Sequence, residues 1–285
     1  VAQQDDAVTL NNGVRMPRLG LGVARVPDAE AAAAVAAALE MGYRSVDTAK
    51  DYGNERGVGA AVRESGIPRE QVFVTTKVWN ADHGYAPALR AFDAGLERLG
   101  LDYVDLYLIH WPVPSRGLFQ ETWRALERLH ADGRVRAIGV SNFEPRHLAL
   151  LMKEGSVVPA VNQIEMHPRL QQQRLRDVHR RYGIVTEAWS PLAKGGALEH
   201  PTLVSLAERH GTTPAAIILR WHLDLGNVVI PKTVTPARMR ENLGAASLAP
   251  LPPADIDAIG ALDAGERIGP HPDTFGDPAG TEPPG

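Results

Sequence analysis

Short apolar runs with little alternation of polar and apolar positions recur along the chain, and most are followed by a longer segment of helical pattern. Runs of this kind suit strands of a parallel sheet buried on both faces. The spacing predicts strands over 19–23, 45–49, 72–77, 103–110, 137–142, 160–165, 185–190 and 228–232. Helices are predicted over 28–41, 55–65, 87–99, 119–131, 145–153, 172–182, 202–210, 214–225, 236–245 and 254–263. Asp28 is expected to cap the first helix, and Gly42 to end it. Ahead of the first strand, Asn11-Asn12-Gly13 lies between two extended runs and predicts a β-hairpin within 8–20. Eight strands, each followed by helix, imply an α/β fold: a (β/α)8 TIM barrel with an N-terminal β-hairpin and extra helices. An open doubly wound sheet is the alternative. No linker divides the chain, so residues 1–285 read as one domain with an irregular Gly- and Pro-rich tail after about 263.

Composition narrows the function. A net charge of −4 with no long basic run gives no field for nucleic acid. The absence of cysteine excludes disulfides, thiolate catalysis and cysteine-ligated metal. No apolar stretch approaches a membrane span, and residues 1–9 lack the apolar core of a signal peptide, so a cytoplasmic protein is expected. A monomer is expected as well. No histidine pair has a helical zinc spacing, His167 stands isolated before Pro168, and no serine lies in a Gly-x-Ser-x-Gly context. No metal site is expected.

The polar residues at strand ends carry the candidate chemistry. Asp47 lies near the end of one predicted strand and Tyr52 stands just beyond it; Lys77 and His110 close the next two. Taken singly, each has a plainer reading as a turn cap, a loop aromatic, a solvated lysine or a core histidine. In a closed parallel barrel they converge at the C-terminal mouth, where barrel enzymes place their chemistry. An acid, a phenol, a lysine and a histidine together suit proton transfer. Gly20-Leu21-Gly22 lacks the third glycine of a dinucleotide loop, so a nucleotide would have to be held by side chains. Lys232, Thr233 and Arg238 cluster around a helix start at Thr235-Pro236, which suits an anion, though a cap with solvated cations reads equally well.

Along nearly all its length the chain resembles the aldo-keto reductase family. The resemblance rests on Gly20-Leu21-Gly22, Asp47-Thr48-Ala49, Tyr52-Gly53-Asn54-Glu55, Thr76-Lys77, Leu108-Ile109-His110-Trp111-Pro112, residues 138–143, Asn162-Gln163, Trp189-Ser190-Pro191-Leu192 and residues 230–242. Within the family it is similar to the bacterial reductases typified by 2,5-diketo-D-gluconate reductase. The resemblance implies a (β/α)8 barrel, NADPH/NADP+ as cofactor, and reduction of a small-molecule aldehyde or ketone to an alcohol. It implies Tyr52 as general acid, Lys77 and Asp47 as its supporting pair, and His110 as the residue that orients the carbonyl. Ser141, Asn142 and Gln163 would bind the carboxamide, with Trp189 stacked on the nicotinamide. Gly22, Ser190 and Leu192 would line the cofactor, and Lys232, Thr233, Arg238, Glu241 and Asn242 its adenosine end.

A free phenol has a pKa near ~10, and a neighbouring ammonium is expected to lower it. Glu55, the nearest competing acid, is given a structural role. Lys50 and Asp51 depart from the family pattern and are expected to pair with each other at the surface or to add polarity to the rim. Ala24, Trp79 and Trp111 are expected to line the substrate pocket, with Ala24 leaving one wall open. Two other classes stay in view: a Schiff-base lyase or aldolase using Lys77, and a non-catalytic NADP-binding regulatory protein.

Overall fold

The computed structural model describes residues 6–276; residues 1–5 and 277–285, the latter the end of the predicted tail, lie outside the described residues. Strands β1 (Ala7–Thr9) and β2 (Arg15–Pro17) form the antiparallel hairpin, turned through Gly13 at φ +86°. Leu10 and Met16 from this hairpin pack with Phe73, Leu106, Leu108, Val161 and Val228. Asn11 and Asn12 donate to the Pro159 and Arg136 carbonyls, which fixes the hairpin across the N-terminal end of the sheet.

Eight parallel strands follow: β3 (Leu21–Gly22), β4 (Ser45–Asp47), β5 (Phe73–Val78), β6 (Val104–Ile109), β7 (Val135–Ser141), β8 (Val161–Glu165), β9 (Val185–Trp189) and β10 (Val228–Val229). Each pairs with the next in chain order. Bridges from Leu19 to Val229 and from Gly22 to Lys232 join the first to the last, so the sheet closes. At that seam a Cβ on Gly22 would lie 2.9 Å from the Ile230 carbonyl oxygen, and glycine is what lets the backbones meet. The predicted last strand shortens to β10 because Pro231 has no N–H to give the ladder.

Around the sheet lie α1 (Asp28–Met41), α2 (Glu55–Glu64), α3 (Tyr85–Leu99), α4 (Phe119–Ala131), α5 (Pro145–Glu154), α6 (Gln173–Tyr182), α7 (Pro201–Arg209), α8 (Pro214–Asp224), α9 (Pro236–Gly244) and α10 (Pro253–Gly260). Apolar residues on the outward faces of the strands pack against them in one large core. Helix α3 starts at Tyr85 rather than at residue 87; Pro87 is accommodated in the first turn, where its missing N–H leaves no bond unmade. Gly42 ends α1 in the left-handed conformation as expected, at φ +111°. Asp28 does not cap α1. It is the first helical residue, and its Oδ1 accepts from the Gly57 N–H at 2.8 Å, joining α1 to α2.

Candidate active site

Residues on β5 alternate between the barrel interior and the helices. Phe73 joins the interior cluster, whereas the Thr76 hydroxyl donates outward to Glu55 on α2. Glu55 also pairs with Arg98 on α3, so the structural role expected of it holds. Lys77 has the inward parity. Its ammonium donates to Asp47 Oδ1 at 2.6 Å and to the Thr48 carbonyl at 2.9 Å, and it lies 5.0 Å from the centre of the Tyr52 ring. Tyr52 ends a single 3-10 turn, Lys50–Tyr52, that leaves β4. Buried Asn54 holds this turn: its amide donates to the Val23 and Val26 carbonyls, and its oxygen accepts from Thr48 at 2.6 Å. His110 follows β6, with its ring edge-on to Tyr52 at 5.5 Å and to Trp79 at 5.1 Å. The four predicted residues therefore meet at one end of the barrel.

Burial acts on three of them. It pulls the Lys77 pKa down, but the Asp47 carboxylate and then Tyr52 outweigh it, and the net shift is upward: the amine is charged. His110 is held well below the usual histidine value by burial and then by the Lys77 charge, so its ring is neutral. The expected lowering of the Tyr52 phenol is not what the structure gives. Burial raises it more than Lys77 lowers it, and the phenol keeps its proton more firmly than a free one.

Beside this group, Ser141 donates to the Gln163 carbonyl at 2.8 Å. Asn142, in the left-handed conformation at φ +63°, donates to Ser141 Oγ and to the His110 carbonyl. Its own Oδ1 accepts from Trp189 Nε1 at 2.8 Å, which fixes the indole at the end of β9. The Gln163 amide nitrogen donates to Asp47 Oδ2 and to Glu187 Oε2, both at 2.8 Å. Glu187 was not anticipated. The signal was an acid inside the apolar run 185–190, and the β8–β9 register sets it opposite Gln163. Ser190, at φ +49°, and Leu192 continue from β9 along the rim, both partly buried.

Lys232 and Arg238 are exposed on either side of the start of α9, with Thr233 and Asn242 buried beneath. Thr235 has the expected capping position and extended backbone, but its hydroxyl makes no cap; instead its N–H donates to Thr233 Oγ1 at 3.1 Å. Glu241 accepts from the Thr213 hydroxyl, so it is already engaged. The Tyr43 hydroxyl donates to the Met239 carbonyl and anchors the helix.

The described residues after α10, 261–276, fold over the mouth. The Ile268 and Gly269 N–H groups donate to the buried Glu165 carboxylate at 2.6 and 3.0 Å. Gly269 lies so close to the indole of Trp189 that an added Cβ would come within 2.4 Å of it. Further along, Asp273 pairs with Arg146 at 2.7 Å. Phe275 then packs on Trp111, ring centres 4.4 Å apart, and faces Trp79 at 6.3 Å. Trp111 is thereby left only 7% exposed, whereas Trp79 and Ala24 stay partly open. Lys50, expected to pair with Asp51 or to add polarity to the rim, pairs with Asp82 beyond β5. Glu165 and Phe275 carried no motif in the sequence. Among the described residues no cluster of metal-binding side chains occurs, and no helix is long and apolar enough to cross a membrane.

Comparison with known proteins agrees with this geometry. Residues 16–264 match the aldo/keto reductase family. An aldo-keto reductase of Mycolicibacterium smegmatis is 53% identical over 268 residues, 94% of this chain and 97% of that protein. The glyoxal reductase of Bacillus subtilis is 51% identical over 269 residues, covering 94% and 96%. A crystal structure of a Gox0644 mutant in complex with NADPH superposes with a TM-score of 0.91 at 44% identity, over 95% of this chain and 98% of that one. With a closed parallel barrel, a strand-end acid, lysine and histidine around one phenol, and this similarity over nearly its whole length, the chain belongs to the aldo/keto reductase family.

Proposed function

We propose that the protein reduces aldehydes or ketones to alcohols with NADPH, and that Tyr52 supplies the proton. One observation carries the reading: Lys77 is locked between Asp47 and Tyr52 while neutral His110 faces the same phenol. The charged Lys77 limits the cost of leaving negative charge on Tyr52 when its proton departs. Asp47 keeps that ammonium charged and aimed. A neutral imidazole at His110 can donate an N–H to the carbonyl oxygen as charge develops there.

The residues present fit the cofactor. Exposed Lys232 and Arg238, beside the free N–H groups at the start of α9, form a donor set for a phosphate, with Thr233 adding a hydroxyl. Trp189 offers a fixed aromatic face at the mouth. Ser141, Asn142 and Gln163 would orient the carboxamide; because the Gln163 nitrogen is engaged by two carboxyls, its oxygen is the atom left for that task. Gly22, Ser190, Leu192, Glu241 and Asn242 would complete the cleft. When bound, NADPH supplies the hydride to the carbonyl carbon.

Ala24, Trp79 and Trp111, joined by Phe275, would bound the substrate pocket. The Schiff-base alternative requires a neutral amine, and Lys77 is charged and donates to the Asp47 carboxylate and the Thr48 carbonyl. We take residues 1–285 as one domain acting as a cytoplasmic monomer. NADPH oxidation followed by absorbance across glyoxal, aromatic aldehydes, keto acids, keto sugars and diketones tests the reading. Carbonyl-dependent oxidation is expected for several of them; none across the panel would contradict it.

A further inference from the structure

The barrel interior holds an acid that the scheme above does not use. Glu187, on β9, is fully buried. Its Oε2 accepts one N–H of the Gln163 amide while the other N–H goes to Asp47 Oδ2, so a single NH2 group bridges two carboxyls. Glu187 Oε1 has no hydrogen-bond partner.

Charge does not balance if both acids are ionised. The charged groups that face Glu187 are Asp47 from β4 and Lys77 from β5. Its own sheet neighbours add no charge at this level: β8 presents the neutral Gln163 amide, and β10 is Val228–Val229. One ammonium faces two carboxyls, and its hydrogen bonds go to Asp47 and the Thr48 carbonyl. A carboxylate with a single hydrogen bond in a dry interior is costly, so the proton settles on the acid without the cation.

We propose that Glu187 is a positioning residue of this site, a carboxyl kept protonated beside the intact Asp47–Lys77 pair, whose ionisation raises the negative charge felt by Tyr52. The inference rests on the role given to Tyr52 above. Burial, and then the Asp47 charge, push Glu187 up to about 8, consistent with a group that changes state at the upper edge of the working range. Below that point one net carboxylate stands behind Lys77; above it there are two, and the phenol is held protonated further into alkaline pH.

The test compares wild type with Glu187→Gln, an isostere that is neutral at every pH. At pH 6 the two should reduce a carbonyl at rates within about 3-fold, since both carry no charge there. The alkaline limb of kcat/KM, where Tyr52 loses its proton, should move down by about one pH unit in the variant. Superimposable profiles, or a loss by one constant factor at every pH, would mean a packing role only and overturn the proposal. Carbon-13 NMR of the glutamate carboxyls in the wild-type protein tests it without that variant and without any turnover. A glutamate titrating near pH 8 is expected, moving toward the ordinary range in Asp47→Asn, where Lys77 loses its first partner. If every glutamate titrates in the ordinary range, the proposal fails. Because this readout needs no substrate, its failure stays distinct from failure of the reductase reading, which would show as inactivity across the carbonyl panel.

Discussion

Lys77 donates to Asp47 across 2.6 Å at a depth where both side chains are nearly sealed from water. Such a pair is more costly to break than to lack, because removing one member leaves the other charge buried alone. Asp47→Ala should lower unfolding stability by about 3–5 kcal/mol in urea denaturation. Carbonyl reduction should fall at least ~10-fold with it, as Lys77 loses its aim. Unchanged stability would mean that Lys77 finds another partner and that Asp47 is not what holds it.

Arg238 is exposed beside the start of α9, where a guanidinium can grip a phosphate at two oxygens. A charged hydrogen bond is worth ~1.5–3 kcal/mol, so Arg238→Ala should weaken NADPH binding roughly 10- to 150-fold. NADH lacks the ribose phosphate and should be affected far less. Dissociation constants for both cofactors, by quenching of tryptophan fluorescence, decide it; equal losses would leave Arg238 a helix-supporting residue.

Strand order, helix order and the meeting of Asp47, Tyr52, Lys77 and His110 were legible because each depends on a local pattern feeding one closed sheet. Inside that sheet, position on a strand end is enough to fix where a side chain goes. Glu187 was hidden for the opposite reason: its meaning lies in a bridge through Gln163 to Asp47, two strands from different parts of the chain. The Tyr52 pKa went the other way from expectation because burial, which depends on the whole mouth, exceeds the effect of the one neighbour that sequence suggests. Lys50 likewise reads as a partner for adjacent Asp51 or as polarity at the rim, and its pairing with Asp82 is a contact across 32 residues that no local pattern announces. The tail's composition predicted irregularity and was silent on Phe275, whose contacts with Trp111 and Trp79 are long-range.

The protein should lose stability as pH falls below the ordinary histidine range. His83, His179 and His222 are buried and held near pKa values of about 4, 3 and 3, in each case chiefly by burial. Unfolded histidine titrates near ~6.5, so the unfolded chain takes up protons that the folded one refuses. The folded pKa values are depressed, so this stability is complete above ~6.5 and is lost as pH falls toward the folded values. Each histidine contributes a slope of roughly 1.4 kcal/mol per pH unit, or about 4 kcal/mol for the three between pH 6 and 5. A urea midpoint that stays flat from pH 6.5 to about 4.5 would contradict this.

Phe275 closes the aromatic wall over Trp111. Losing that ring removes apolar contact worth up to ~1.5 kcal/mol, so Phe275→Ala should raise KM for an aromatic aldehyde by about 10-fold. For a small dicarbonyl such as glyoxal, which does not reach the wall, KM should stay within about 2-fold of wild type. Equal changes for both substrates would show that Phe275 acts by holding the tail and not by touching substrate.

Tyr52 is the phenol that Lys77 and His110 both face. Tyr52→Phe removes one oxygen and leaves the ring, its turn and its neighbours in place. The measurement is kcat/KM for carbonyl reduction by Tyr52→Phe, with the NADPH dissociation constant determined on the same preparation by tryptophan quenching. The prediction is a loss of at least ~10²-fold in kcat/KM, the lower end for a positioned acid, with cofactor affinity within about 2-fold of wild type. Reduction within a few-fold of wild type would mean that the proton comes from elsewhere and would contradict the account.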